Sequence, residues 1–370
     1  MAPAVFPRFG IYDNKFRLGA YGMTGDRWDD VLLLSGFWVA PTTKDYDAFV
    51  LFEERHLLPF PLTLDFMRKV LHTDQDTVFS HRLSIDQITY GLNSMQISVQ
   101  PRIKDWRLDI HSMYQLYDAE VGQTLSYEDA FGRWIVTDQG YNYTYYRGVS
   151  LGAAFSYPAL KPFTTRDIGP QGWRVRLTYD RWWNWFFDEF DTGSGLLTED
   201  YKPYHYNRFG LDGGLYVPMP WHDEHTLGFE GGASLIDAKV DSFFYEGIGG
   251  IIGLRGYTYY QLQGPRTLWM RGLYRLPVPG LGKMNTEVGP FYLDKTYIAL
   301  FAEAGRVWRD DYTNSWTRGF KRDIGVELRL DMFSFYGFPS RVSFSAVHAL
   351  DPQPGTDKNK FYLTVLFGYL

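Results

Sequence analysis

The stretch that decides the fold reads Gly249-Gly250-Ile251-Ile252-Gly253-Leu254-Arg255-Gly256-Tyr257. Its glycines permit tight turns and a close approach to other backbone, because no Cβ blocks either. The run carries a single arginine, Arg255, among these glycines and aliphatic residues. Taken alone, an arginine on a glycine-rich loop is usually part of a solvated turn, so its meaning depends on the flanking segments.

The segments after this loop alternate between apolar and polar residues. In residues 320–332, five apolar side chains share one face, and the other face holds Lys321, Asp323, Gly325, Glu327, Arg329 and Asp331. A period of two residues over about a dozen positions predicts a β-strand long enough to cross a bilayer. In a helix those charges would surround the axis, and the strands of a soluble sandwich are usually about half as long. The apolar face holds Ile324, Val326, Leu328, Leu330 and Met332.

Similar alternation predicts sixteen strands, so the expected fold class is all-β, a 16-stranded antiparallel transmembrane β-barrel. An even number lets the sheet close without an exposed edge, which hydrocarbon requires because each unpaired amide there costs several kcal/mol. Residues 236–266 show neither a helical nor a strand period, and their apolar, glycine-rich tip argues against disorder. We therefore expect one barrel domain, residues 1–370, with loop 236–266 folded into the lumen. The predicted strands are 15–23, 31–40, 46–57, 62–71, 85–99, 106–117, 131–137, 149–157, 173–179, 206–217, 226–235, 268–278, 298–308, 320–332, a strand that holds residues 343–348, and 361–370.

The composition agrees with a membrane barrel and excludes several other classes. Aromatic residues make up 18% of the chain, more than a single soluble core needs, and aromatic girdles at two membrane interfaces would use them. The absence of cysteine excludes disulfides and thiolate metal sites, and a net charge of −6 gives no basic surface for nucleic acid. A mean hydropathy of −0.29 suits a barrel in which every second residue faces a polar interior.

Two short motifs resemble those of the bacterial surface antigen family, which includes outer-membrane insertases and two-partner-secretion transporters. In that family a long outer loop folds back into the barrel with a [V/L]-R-G-[F/Y] tip, matched here by Leu254-Arg255-Gly256-Tyr257. A later strand carries F-x-D-x-G, matched here by Phe301-Ala302-Glu303-Ala304-Gly305, with glutamate in place of aspartate. The resemblance covers about the last third of the chain. The front strands are faintly similar to barrels attached behind a periplasmic propeller.

The resemblance implies a lock between the loop and the barrel wall, in which Arg255 pairs with Glu303 and Gly305 leaves room for the loop backbone. Such a pair at about 4 Å is worth roughly 4 kcal/mol before desolvation, which cancels much of it. Leu273 departs from the pattern, since relatives commonly carry a glutamate there. The expected lock residues are Arg255, Gly256, Tyr257, Phe301, Glu303 and Gly305. Strand parity places further charges in the lumen, where each could also be a solvated pore lining: Glu230, Arg271, Arg275, Asp323, Glu327 and Arg329.

The last strand, 361–370, is rich in aromatic residues and resembles the signal by which assembly machinery recognises outer-membrane barrels. It ends in Leu370, where a phenylalanine is more usual. We expect it to pair with the first predicted strand, 15–23, whose two glycines weaken the ladder. In insertases this seam opens toward lipid, although glycine in a barrel strand more often only permits curvature.

The sequence offers no convincing catalytic site or metal site. Trp221-His222-Asp223-Glu224-His225 has histidines and acids, but it falls where a turn between strands belongs. Ser343 and Ser345 share a strand with His348, but the opposite parity of the histidine places it on the other face. We therefore expect no enzymatic activity, no cofactor and no bound metal.

By resemblance, the expected function is protein or lipid translocation or insertion at the bacterial outer membrane, or service as the membrane part of a larger envelope complex. The expected partners are outer-membrane lipids and periplasmic or lipoprotein subunits, without nucleic acid. Relatives take substrate through POTRA modules, and no such module is recognised in this sequence. The alternatives are a passive porin-like channel or membrane anchor, and a soluble aromatic-rich sandwich such as a carbohydrate-binding module.

Overall fold

The structure, a computed structural model, consists almost entirely of β-strands. No helix in the described part of the chain is long and apolar enough to cross a membrane. The described residues are 4–12, 15–26, 28, 30–79, 82–128, 131–161, 168–191, 193, 198–250, 253–258, 261–282, 284–309, 319–334, 338–352 and 357–367.

Sixteen strands of nine residues or more lie within these ranges. They are β1 (Ala4–Tyr12), β2 (Lys15–Gly25), β3 (Val31–Ala40), β4 (Asp45–Glu54), β5 (Leu62–Phe79), β6 (Arg82–Val99), β8 (Trp106–Glu128), β9 (Trp134–Leu160), β10 (Gly172–Asp191), β11 (Thr198–Met219), β12 (His222–Ile236), β15 (Arg266–Pro277), β17 (Phe291–Trp308), β18 (Lys321–Ser334), β19 (Phe338–Ala349) and β20 (Asn359–Phe367). Four short strands complete the set: β7 (Arg102–Ile103), β13 (Glu246–Ile248), β14 (Leu262–Gly264) and β16 (Thr286–Val288).

The count of sixteen long strands agrees with the sequence prediction, but two of the assignments behind it are wrong. The prediction omits β1, in which Pro7 pairs with Ala20 of β2. It also divides β9 into two strands, because residues 138–148 are polar and rich in tyrosine and do not alternate. The two errors compensate in the total. A two-residue period detects neither strand. β1 contains a proline, and the middle of β9 has polar residues on both faces.

The expected pairing of the last strand with residues 15–23 is also wrong. Both edges of β2 are occupied, since β2 pairs with β1 on one side and with β3 on the other. The last strand, β20, pairs with β19 through residues 359–367. Residues 368–370, including the terminal leucine, lie outside the described residues.

The two faces of the sheet differ as the alternation predicts. In β17 the side chain of Leu300 is 50% exposed, whereas the next residue, Phe301, is 6% exposed. In β18 the exposed fractions are 46% for Ile324 and 1% for Asp323. Large apolar side chains cover the exposed face, and charged groups lie on the buried face, which is the arrangement of a membrane barrel wall.

The register of the strands aligns four charged residues on the buried face. Glu230 of β12 pairs with Arg271 of β15, and Arg271 pairs with Glu303 of β17. Glu303 in turn pairs with Asp323 of β18. Since directly opposed side chains have Cβ atoms about 4.5–5.5 Å apart, these residues form a continuous lateral row, which we call the charge row.

The chain forms two compact units. One consists of Met1–Ile103, Leu108–Ala153 and Asp180–Tyr206, and the other consists of Lys104–Arg107, Ala154–Tyr179 and Asn207–Leu370. The charge row and loop 236–266 both belong to the second unit. The candidate site can therefore be described within that unit alone.

Candidate functional site

The connection between β12 and β15 has local structure of its own. Strand β13 pairs with β14, and a 3₁₀ turn at Ser242–Phe244 is capped by Asp241, whose carboxylate accepts a hydrogen bond from the N–H of Phe243 at 2.8 Å. The expectation that this connection contains no strand is therefore wrong. Three-residue strands are too short to produce a detectable period, yet they give the tip a two-stranded base.

Glycine determines the shape of the loop tip. Gly250 and Gly253 have φ angles of 72° and 104°, in a region that residues with a Cβ rarely adopt. The N–H of Gly250 donates to the carbonyl of Tyr257 at 2.8 Å, which closes the tip on itself. Ile251 and Ile252 lie outside the described residues.

Arg255 contacts the wall through both its backbone and its guanidinium. Its N–H donates to Oε2 of Glu303 at 2.7 Å, and its Nη1 donates to Oε2 of Glu327 at 2.7 Å. Its Nε lies 3.4 Å from Oε1 of Glu303, and the guanidinium lies 4.2 Å from the ring centroid of Phe301. The structure places Arg255 beside Glu303. It also makes Glu327 the nearest carboxylate to the guanidinium, a pairing absent from the sequence prediction.

Arg271 connects the charge row to the loop backbone. Its Nε donates to Oε1 of Glu303 at 2.5 Å, and its Nη1 donates to Oε2 of Glu230 at 3.2 Å. Its Nη2 donates to the carbonyl of Gly253 at 3.1 Å. Glu230 also accepts a hydrogen bond from the hydroxyl of Tyr216 at 2.7 Å. One wall arginine therefore binds two wall carboxylates and the loop tip at the same time.

A second wall arginine, Arg329, supports the other carboxylate that binds Arg255. Its Nη2 donates to Glu327, and its Nη1 donates to the hydroxyl of Tyr297 at 3.0 Å. The hydroxyl of Ser345 donates to Oε2 of Glu327 at 3.2 Å. Each of the two carboxylates that hold Arg255 therefore has a second arginine of its own.

Gly256 and Tyr257, the two residues after Arg255, each bind the wall by hydrogen bonds. The N–H of Gly256 donates to Oδ2 of Asp323 at 2.8 Å, and a Cβ at Gly256 would lie only 2.8 Å from the Cβ of Asp323. The hydroxyl of Tyr257 lies 3.1 Å from the carbonyl oxygens of both Arg322 and Asp351. Burial raises the pKa of Tyr257 to about 12. The hydroxyl therefore remains a hydrogen-bond donor at neutral pH.

Apolar packing buries the tip beside these polar contacts. Leu254 and Tyr257 are 0% and 1% exposed and form a cluster with Ile248. A Cβ at Gly305 would collide with the side chain of Leu254 and lie 3.0 Å from Cδ1 of Ile248. The expectation that Gly305 makes room for loop backbone is wrong in this detail, because the space is filled by loop side chains.

An apolar layer lies next to the charge row. Leu273, Phe301 and Val347 form a buried cluster, and Tyr362 packs against it. The hydroxyl of Tyr362 donates to the carbonyl of Arg255 at 2.6 Å. Leu273, which departs from the sequence pattern described above, contributes to this layer.

Arg275 is the predicted wall charge that remains outside this network. It is placed on the same face as Arg271, with Leu273 between them along β15. Its guanidinium lies 5.8 Å from the ring centroid of Tyr216. Within the described part of the chain Arg275 forms no ion pair.

Sequence reasoning missed two polar groups that the structure singles out. Tyr362 has the parity of the buried face in the last strand, which is the signal that could have found it. His111, in the other unit, lies between two carboxylates: its Nδ1 is 2.9 Å from Asp109 and its Nε2 is 2.7 Å from Asp180. Only an imidazolium can donate from both nitrogens. The spacing of Asp109 and His111 indicates a shared face, but nothing in the sequence points to Asp180.

No known protein-family profile matches this chain, and no curated protein is significantly similar to it in sequence. Many solved structures are similar in fold, and the three that follow are examples. The BamA structure from Haemophilus ducreyi that lacks POTRA domains 1–3 has 12% identity and a TM-score of 0.57, over 99% of this chain and 70% of that one. CdiB from Acinetobacter baumannii has 10% identity and a TM-score of 0.55, over 98% and 59% of the two chains. CdiB from Escherichia coli has 11% identity and a TM-score of 0.58, over 98% and 61%.

Identities this low bear on the fold, and the chain spans between 59% and 70% of the lengths of these three chains. The match extends over nearly all of this sequence, including the front strands, where the motif resemblance is faint. The prediction of an all-β barrel fold is confirmed. This chain has the fold of the outer-membrane β-barrels of BamA and CdiB.

Proposed function

We propose that this chain is the membrane-embedded barrel of an outer-membrane protein that translocates or inserts proteins or lipids, and that its Arg255 loop closes the lumen at rest. The fold shared with BamA and CdiB supports the outer membrane as its location and this general class of activity. The observation that carries the closed resting state is the burial of Arg255 between Glu303 and Glu327. A solvated pore lining would leave this arginine exposed, whereas its side chain is 11% exposed.

The physical character of the lock favours a gate over a fixed plug. Burial lowers the pKa of Arg255 below its ordinary value and the nearby charge of Arg271 lowers it further, so pairing with Glu303 and Glu327 does not fully offset these two effects. Buried ion pairs are strongly directional but contribute little net stability. A contact of this kind holds one arrangement of the loop and can still be displaced by a partner that binds the loop or its carboxylates.

The second candidate is a passive channel or a membrane anchor within a larger assembly. It is supported by the number of hydrogen bonds at the loop tip, since Arg255, Gly256 and Tyr257 each bind the wall separately. A loop that never leaves the wall would suit an anchor. In either case the exposed apolar face would contact outer-membrane lipids, and periplasmic or lipoprotein subunits would be the protein partners.

Planar-bilayer recording separates a gate from a permanently open pore. The parent chain is expected to show a small, flickering conductance, and Arg255→Ala should increase the open probability and the conductance. Arg322→Ala is a matched control, because this arginine is 59% exposed and pairs with Asp351, and exposed pairs contribute little. A wide, steady conductance in the parent chain would favour a porin, and an unchanged closed state in Arg255→Ala would favour an anchor.

An insertion assay tests the activity itself. An unfolded eight-stranded outer-membrane barrel is diluted from urea into liposomes that contain the parent chain, and its folding is followed by the resistance of its compact form to unheated detergent electrophoresis. The proposal predicts faster folding than in liposomes that carry a porin of similar size. Equal folding rates in the two preparations would contradict insertion and leave translocation of lipid or protein to be measured by vesicle transport.

A further inference from the structure

The inner wall holds an arginine, Arg275, that forms no ion pair with a described residue, although it lies in the electrostatic field of Glu230. Arg275 pairs across the sheet with Thr226 on one side and Ala299 on the other, so neither adjacent strand offers a carboxylate. Its Nε atom is buried and has no hydrogen-bond partner among the described residues. Arg275 is only partly buried, and an ionisable group inside a membrane-spanning barrel that lacks a hydrogen-bonded counter-ion is a functional candidate.

A second unpaired arginine lies on the same part of the wall. Arg174 of β10 lies beside Gly213 of β11, where a Cβ would be 3.5 Å from the carbonyl oxygen of Arg174. Both Arg174 and Arg275 interact electrostatically with Glu230 and with Tyr216. Within the described ranges neither arginine forms an ion pair. Two cations therefore flank a single tyrosine and a single carboxylate.

That carboxylate attracts both arginines, but its oxygens are already hydrogen-bonded to other groups. Glu230 already accepts hydrogen bonds from Tyr216 at 2.7 Å and from Arg271 at 3.2 Å. The apolar layer of Leu273 and Phe301 separates Arg275 from the carboxylate of Glu303. This part of the wall therefore carries an excess of positive charge.

Another segment of the chain covers the site. A Cβ at Gly169 would lie 2.8 Å from Nη1 and 3.4 Å from Cδ of Arg275, so the backbone at this residue passes directly over the guanidinium. The neighbouring Ile168 is 3% exposed. This cover reduces the access of water to the arginine, and lower hydration strengthens its attraction for an anion.

We propose that Arg174 and Arg275 form an anion-binding site on the inner wall that takes a phosphate group. Guanidinium groups bind phosphate oxygens through paired, charge-assisted hydrogen bonds. Two unpaired arginines match the double charge of a phosphate better than the single charge of a carboxylate. This site goes beyond the proposed function, since it requires neither transport nor opening of the Arg255 loop.

Calorimetric titration of the full chain in dodecyl maltoside, a detergent without phosphate, tests the site. Inorganic phosphate is one probe and short-chain dihexanoyl phosphatidic acid is the other, with acetate for comparison. We expect saturable binding of a phosphate probe and at least about tenfold weaker binding of acetate. Tighter binding of the lipid would identify a lipid headgroup as the source of the phosphate, and equal binding would identify a soluble phosphate.

Substitutions then assign the binding to the two arginines. Arg275→Gln and Arg174→Gln should each weaken phosphate binding by about tenfold or more, because each removes a charged donor. Arg275→Lys keeps the charge and should retain most of the affinity, which guards against a folding defect in the glutamine variant. Arg309→Gln is the control, since this exposed arginine donates to the carbonyl of Gln263 elsewhere in the fold. The proposal is overturned if the parent chain binds neither probe, or if Arg309→Gln weakens binding as much as Arg275→Gln.

Discussion

Replacement of Arg255 by alanine is expected to release the loop tip while the wall around it stays intact. The substitution removes a charged hydrogen bond to Glu327, a weaker ion pair with Glu303 and the contact with the ring of Phe301. It does not leave either carboxylate without a partner, because Glu303 retains Arg271 and Glu327 retains Arg329. The penalty of a stranded buried charge is therefore absent.

The magnitude follows from these contacts. A hydrogen bond to a charged group contributes about 1.5–3 kcal/mol, and a cation–π contact contributes about 0.5–2 kcal/mol. The water that Arg255 loses on burial lowers its pKa and offsets part of this sum. A net loss of about 2 kcal/mol corresponds to roughly a 30-fold rise in the population of the released tip. The backbone hydrogen bond from residue 255 to Glu303 persists, so the release is partial.

Hydrogen exchange of the peptide that contains residues 253–258 measures this population directly, because amides exchange from the released state. The N–H of Gly256, bound to Asp323 at 2.8 Å, is the most informative reporter. Exchange in Arg255→Ala should be roughly 30-fold faster than in the parent chain, and exchange in Arg322→Ala should change less than about threefold. Unchanged exchange in Arg255→Ala, or an equal acceleration in the control, would refute the role assigned to this arginine.

Three further substitutions test separate parts of the same lock. Glu303→Gln should weaken the binding of the tip by about 3–5 kcal/mol in total, more than Arg255→Ala does, because two buried arginines lose a shared carboxylate. Equal exchange rates in the two variants would contradict this ranking. Tyr362→Phe removes one hydrogen bond, from its hydroxyl to the carbonyl of Arg255, and should accelerate exchange at the tip by about fivefold for a loss near 1 kcal/mol, without any change in barrel stability. Gly305→Val should expel the side chain of Leu254 and make the tip sensitive to protease, whereas a parent-like digestion pattern would show that the wall can relax around the new side chain.

The fold could be predicted because alternation is a property of single strands. A two-residue period in residues 320–332 is enough to assign the strand and its buried face, and the structure reproduces that face for residues 323–328, although Met332 is also buried. The errors arise where the period is weak. Pro7 in β1 and the tyrosine-rich residues 138–148 in β9 give no alternation, although the surrounding sheet still makes them strands.

The sequence motifs and strand parity predicted only part of the site. The glycine-rich tip and strand parity place Arg255, Glu303 and Gly305 near one another without any knowledge of the loop path. They cannot choose between Glu303 and Glu327 for the guanidinium, since that depends on how deeply the loop enters. The hydrogen bond from Tyr362 joins residues 107 positions apart and leaves no local signal.

The burial of the loop tip is the central claim, and the rate of cysteine labelling tests it most directly. The chain contains no cysteine, so a single substitution gives a single reactive site. Leu254→Cys replaces a residue that is 0% exposed, and Phe243→Cys replaces one that is 41% exposed on the same loop. With a membrane-impermeant maleimide, position 254 should react at least about tenfold more slowly than position 243, and the two rates should converge after denaturation. Equal rates in the folded barrel would contradict the claim that the loop tip is locked against the wall.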